Sequence, residues 1–283
     1  MMNIKRISSY ILMLIFLWAL LITQSWCNIA AASDYIVDPR CQYTYPVTEF
    51  LNDELFDQYR YDDGNLFRRL LTYYSKLTGS DKMPFISFAG NPVELLYTGI
   101  PEQGVVNYGS DYASDSYYEI EGEQVVAAEA IQVFEPFLDL FPLEIEEGRG
   151  FSEADHHYMQ DRRIPVILGA AYKDTFHVGD VFEGYYFSER VSFEVIGIAK
   201  SESIFFNKAE GGFSLYDRYI IMPFEQVTED SLFSRIVLLQ EICGFIVAEN
   251  GWDAAVSQIQ QCLAESGLTD WQDQIVVNTR TVR

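Results

Sequence analysis

Four short blocks in a set order constrain this chain more than any other feature. They are Glu147-Gly148-Arg149-Gly150-Phe151-Ser152, Arg163-Ile164-Pro165-Val166-Ile167-Leu168-Gly169, Val178-Gly179-Asp180-Val181 and Phe193-Glu194-Val195-Ile196-Gly197-Ile198. Ile164 to Leu168 is a β-branched apolar run closed by Gly169, the pattern of a buried strand. Val178 to Val181 is a turn into a strand, because Gly179 accepts a positive φ. Phe193, Val195, Ile196 and Ile198 make a second apolar strand, with Gly197 at a bulge or a close backbone approach. Gly148 and Gly150 flank Arg149, so a tight turn presents a guanidinium there. Its planar fork suits a carboxylate or backbone carbonyls. No residue in the four blocks is a nucleophile, or a base with a partner, so they read as structure.

This order of glycines and apolar blocks resembles the periplasmic core domain of MacB/FtsX-type ABC-transporter permeases. The match is good over residues 144–223, where Tyr219 to Pro223 supplies a strand-then-proline ending, and loose from Asp34 to Gly122. The resemblance implies an α+β fold over residues 34–283. A mixed α/β subdomain is formed by both ends, a β-rich subdomain is inserted between them, and one transmembrane helix precedes the whole. In such a domain Gly148, Arg149, Phe151, Gly169, Gly179, Asp180, Gly197 and Pro223 mark the fold rather than an active site. The implied partners are the membrane, an ABC-type ATPase subunit inside, further permease subunits, and a substrate or envelope partner outside, a peptide among the options. Permeases of this family carry three more transmembrane helices after the domain. The sequence given stops at Arg283, about where the next would start, so a truncated permease and a stand-alone subunit both fit.

The N-terminus carries a membrane signal. Lys5 and Arg6 precede an apolar stretch from Ile7 to Trp26 that is long enough to span a bilayer as a helix. The positive-inside rule places the N-terminus in the cytoplasm and the rest outside. Residues 1–33 therefore read as a cytoplasmic tip and transmembrane anchor. Cleavage after Ala30-Ala31-Ala32, as in a signal peptide, is the other reading. That second reading would yield a secreted binding protein for a cationic peptide.

Charge and side-chain chemistry narrow the function classes. The formal charge is −23, and no acid occurs before Asp34, so the exported part is more acidic still. Such a surface repels nucleic acid and anionic headgroups. No Gly-x-x-x-x-Gly-Lys motif is present, so the chain is not the ATPase. There is no Gly-x-Ser-x-Gly elbow. Glu153, Asp155, His156, His157 and Asp161 form one His/acid cluster, but adjacent histidines lack the spacing of metal ligands on a helix face, which predicts a surface loop. Neither an enzyme nor a cofactor or metal protein is expected. Cys27, Cys41, Cys243 and Cys262 match no zinc or redox motif. A Cys243–Cys262 disulfide and two buried thiols both fit.

Elsewhere the pattern predicts a linker with Pro39 and Pro46 over 34–48, and helices over Glu49–Tyr59, Asn65–Leu77 and Trp252–Ser266. Strands are expected over Phe85–Phe88, Val93–Tyr97, Val125–Ile131, Arg218–Met222, Ile236–Leu239, Phe245–Ala248 and Gln274–Val277. Pro223 is expected to open a helix toward Thr228, and the aromatic stretch Tyr108–Tyr118 is a loop or partner surface. Helices and strands at both ends around a β-rich middle are an α+β arrangement.

Overall fold

The computed structural model describes residues 38–96, 99–106, 117–158, 161–208 and 210–279. The hydrophobic N-terminal segment, Cys27 and most of Tyr108–Tyr118 lie outside them. No helix among the described residues is long and apolar enough to cross a membrane.

Thr44–Glu49 forms strand β1, where the prolines predict a linker. It pairs antiparallel on both sides, with Gly244–Val247 and with Ile275–Val277. Pro46 lacks a donor but keeps its carbonyl, which accepts from the Asn278 N–H at 2.8 Å. Buried Thr44, Tyr45 and Val47 supply the driving force. Helix α1 (Asp53–Tyr61) follows, capped by the Asn52 side chain on the Leu55 N–H. Helix α2 (Asn65–Thr78) turns Phe67, Leu70, Tyr73 and Leu77 inward.

The middle of the chain is strand-rich. β2 (Phe85–Ala89) is buried along its whole length. After it come β3 (Val93–Leu95), β4 (Tyr117–Ile120), β5 (Glu123–Ala128) and β6 (Ala130–Val133). The single strand expected over Val125–Ile131 is divided at Glu129, whose N–H leaves the ladder for the Gly104 carbonyl. That break lets β5 pair with β3 and β4 while β6 pairs elsewhere. The short helix α3 (Glu135–Leu140) leads to β7 (Ile145–Gly148), β8 (Arg163–Leu168), β9 (Val181–Tyr186) and β10 (Glu189–Ala199). A separate hairpin, β11 (Ile204–Asn207) with β12 (Gly212–Leu215), precedes β13 (Ile220–Pro223). Pro223 closes this strand and opens no helix.

Helix α4 (Leu232–Glu241) replaces the strand expected over Ile236–Leu239. Ser231 caps it on the Ser234 N–H. A short apolar run has no period that separates a buried strand from an all-round buried helix. Here Phe233 and Val237 enter one hydrophobic core while Leu238, Leu239 and Ile242 enter another. β14 (Gly244–Val247), helix α5 (Trp252–Glu265) and β15 (Ile275–Val277) complete the fold. α5 buries Ala255, Ile259, Cys262 and Leu263. Cys41, Cys243 and Cys262 are free, buried thiols.

Among the described residues one sheet runs in the order β15-β1-β14-β2-β6-β13-β8-β10-β9-β3-β5-β4, with β7 added beside β10. The first four strands come from both ends of the chain and carry α1, α2, α4 and α5, whose apolar faces make one core with them. The middle strands surround the second core, built on Val166, Leu168, Phe193 and Ile220. The fold is therefore α+β. β2 joins the two parts: Phe85–Ser87 pair with β14, and Phe88 and Ala89 pair with β6. Phe88 stacks on Phe137 at 4.8 Å and touches Phe205 and Phe245 at 5.8 and 5.6 Å. Phe88→Ala is expected to lower stability by roughly 3–5 kcal/mol in urea unfolding, since the hole opens at the point that both parts share.

Candidate functional site

Three of the motif residues, Gly148, Arg149 and Gly197, meet at one place, the crossing of β7 and β10. Gly148 ends β7 opposite Gly197. It has φ +79, and a Cβ there would lie 2.2 Å from the Ile196 carbonyl oxygen. At Gly197 a Cβ would lie 2.6 Å from the Arg149 carbonyl oxygen. Each glycine thus makes room for the other's strand, and β10 shifts register against β8 between Val195 and Gly197. The Arg149 N–H closes the crossing on the Ile196 carbonyl at 3.0 Å.

From this crossing the Arg149 guanidinium reaches forward. It holds the Asp155 carboxylate with two N–H bonds, of 2.6 and 2.9 Å, and the Gly150 carbonyl with a third of 3.0 Å. Ser152 donates its N–H and its hydroxyl to the same carboxylate, at 2.7 and 2.6 Å. Burial alone would raise the pKa of Asp155. The donors from Arg149 and Ser152 outweigh it and hold the carboxyl at about 2.

Asp155 and His156 are buried, not part of a surface loop. The His156 Nδ1–H donates to the Phe224 carbonyl at 2.7 Å, the ring stacks on Phe134, and its own carbonyl accepts from the Gln226 N–H. Polar residues in sequence look solvated; here Asp155 is tied to Arg149 and Ser152, and His156 ties the turn to the chain just after β13. The sequence does hold a signal for it. Ser152-x-x-Asp155 has capping-box spacing, and Arg149 stands one turn before it. His157 is exposed, and no group of His, Cys, Asp and Glu among the described residues is arranged to hold a metal.

The remaining motif residues lie on neighbouring strands and turns. Gly179 (φ +94) donates its N–H to the Val195 carbonyl, and the Asp180 carbonyl accepts from the Val195 N–H. The Asp180 carboxylate takes the His177 N–H at 2.8 Å, so this turn is pinned to β10. Gly169 packs under the carbonyls of Tyr216 and Asp217. Pro223 pairs opposite Val133, and its carbonyl accepts from the Tyr158 hydroxyl. Phe151 is half-buried beside the turn. Together these residues form a seam of close backbone approaches and hydrogen bonds.

The family model for the MacB-like periplasmic core domain matches residues 76–261. That span contains every residue of the seam. The chain belongs to this family. It therefore carries the extracytoplasmic domain of a MacB-like ABC-transporter permease. Among solved structures the chain is similar to the extracellular domain of the noncanonic ABC-type transporter YknZ from Gram-positive bacteria. Identity there is 13%, 83% of this chain and 98% of that chain are covered, and the TM-score is 0.40. It is also similar to the periplasmic region of MacB from Actinobacillus actinomycetemcomitans, with 11% identity, 84% and 88% coverage and a TM-score of 0.41. No curated protein matches the chain.

Electrostatics make the seam of this MacB-like domain testable. The folded pKa of Asp155 is depressed, so its contribution is complete above the usual carboxylate range and is lost as pH falls toward 2. Asp155→Asn is expected to lose about 2 kcal/mol at neutral pH. The difference between wild type and variant should shrink as pH falls from about 4 to about 2, read by urea unfolding at each pH. A Gly197→Ala chain should be destabilised at every pH, because the clash is with backbone.

Proposed function

We propose that the domain is a passive mechanical relay. A partner ATPase in the cytoplasm hydrolyses ATP, the membrane segment moves, and the domain carries that motion to a substrate or envelope partner outside. On this reading the protein has no catalysis of its own. A single helix over residues 7–26 anchors it, with the N-terminus in the cytoplasm.

The observation that carries this reading is where the domain's first and last strands lie. β1 and β15 are antiparallel neighbours, with Val47 opposite Val277 and the Asn278 N–H on the Pro46 carbonyl. The start of β1 and the end of β15 thus lie side by side. Force delivered at this edge enters two strands that are hydrogen-bonded to each other. From β1 it passes through β14 and β2 into β6, and so along the whole ladder. The acidic surface supports an exported position, since it gives solubility without attraction to anionic headgroups. The positive pair Lys5 and Arg6 supports the orientation.

Two measurements on the full chain test the relay. Tagged protein isolated from its native membrane should bring down an ABC-type ATPase. In a Cys27→Ser background, a membrane-impermeant thiol reagent added to intact cells should label Val276→Cys and spare Asn3→Cys. Recovery without an ATPase would contradict the coupling, and labelling at residue 3 would contradict the topology.

A further inference from the structure

A cleft lies between the helical and strand-rich parts of the domain. Its volume is about 760 Å³, which falls in the range of pockets for drug-sized ligands. One wall comes from α2 and β2, with Leu71, Tyr74 and Phe85 among its residues. The opposite wall comes from Phe134, Pro136 and the His156 turn. Glu241, the last residue of α4, lines the cleft between them.

Glu241 is the anomaly. Only 2% of its surface is exposed. Its backbone carbonyl accepts the Ser87 hydroxyl at 2.7 Å, and no donor or ion-pair partner of its carboxylate is found among the described residues. An acid this shielded and without a protein donor is costly, because the hydration it keeps can come only from the cleft it lines. Burial and the nearby Glu225 push its pKa well above the usual carboxylate range. The helix end adds to the same field, since the last carbonyls of α4 carry partial negative charge and favour a cation.

The rest of the lining completes the pattern. Glu135 and Glu153 also line the cleft, and no Lys or Arg is among its described lining residues. The His156 ring is turned so that Nδ1–H serves the Phe224 carbonyl, which leaves Nε2 as the acceptor of the neutral ring. A mixed lining with apolar and aromatic side chains beside three acids, one of them buried, suits a ligand that is apolar along its body and cationic at one end.

We propose that this cleft binds a small organic amine, its ammonium on Glu241 and its apolar body between Leu71, Tyr74, Phe85 and Phe134. The site does not depend on coupling to an ATPase. An amine bound here touches both parts of the domain at once.

The test is calorimetric titration of the full chain in detergent with 2-phenylethylamine and, separately, with its neutral isostere 2-phenylethanol. The amine should saturate a single site, and the alcohol should bind at least about tenfold more weakly. Glu241→Gln should weaken the amine by a similar factor while its melting temperature stays at or above that of wild type. Leu71→Trp, which fills the cleft and leaves Glu241 in place, should abolish binding of both, and it serves as the deciding variant if Glu241→Gln does not fold. Equal binding of amine and alcohol overturns the proposal. So do unchanged amine binding in a folded Glu241→Gln or Leu71→Trp chain and the absence of saturation in wild type.

Discussion

The fold depends on one short strand serving two partners. Phe85 to Ser87 of β2 complete the ladder of β14, and the next two residues, Phe88 and Ala89, begin the ladder of β6. Without that change of partner the two hydrophobic cores would sit on separate sheets. Phe88 enforces it, because its ring is shared by Phe137 of α3, Phe205 of β11 and Phe245 of β14. Each stacked or tilted pair of this kind adds about 0.5–1.5 kcal/mol beyond area burial. Helix α4 repeats the device on the face of the sheet, sending Phe233 and Val237 into one core and Leu238 and Leu239 into the other.

The glycine–arginine seam has a different task. β10 is 11 residues long and has β7, β8 and β9 as partners. A long strand with three partners needs one place where backbones come closer than side chains permit, and Gly148 facing Gly197 is that place. The Arg149–Asp155 pair then locks the chain leaving the crossing. Arg149 is half exposed while Asp155 is nearly buried, so the pair's value lies in the satisfied carboxylate more than in free Coulomb attraction. Close backbone contact at the crossing and the satisfied carboxylate beside it together brace the strand-rich part.

Much of this was legible in the sequence where local pattern and tertiary context agree. α2 and α5 show helical spacing and bury the face that the spacing names. The four glycine blocks identify β8, the turn at Gly179 and the bulge at Gly197. The misreadings share one cause, a local rule overruled by distant partners. Pro46 reads as a breaker until β14 and β15 supply its neighbours. Ile236 to Leu239 reads as a strand because its two buried faces belong to cores built by residues far away in sequence. Asp155 and His156 read as solvated until Arg149, Ser152 and the Phe224 carbonyl are brought to them. Glu241 carries no local signal at all, since an acid at a helix end is ordinary and only the cleft makes it unusual.

β2 and the seam make the domain one cooperative body. Native-state hydrogen exchange across a urea series measures this directly. Amides of Ile246 in β14 and of Val166 and Val195 in the strand-rich part should exchange through a single opening, with the same free energy and the same urea dependence. Earlier opening of Val166 and Val195, with a smaller urea dependence and with Ile246 still protected, would show two independently opening bodies instead of one.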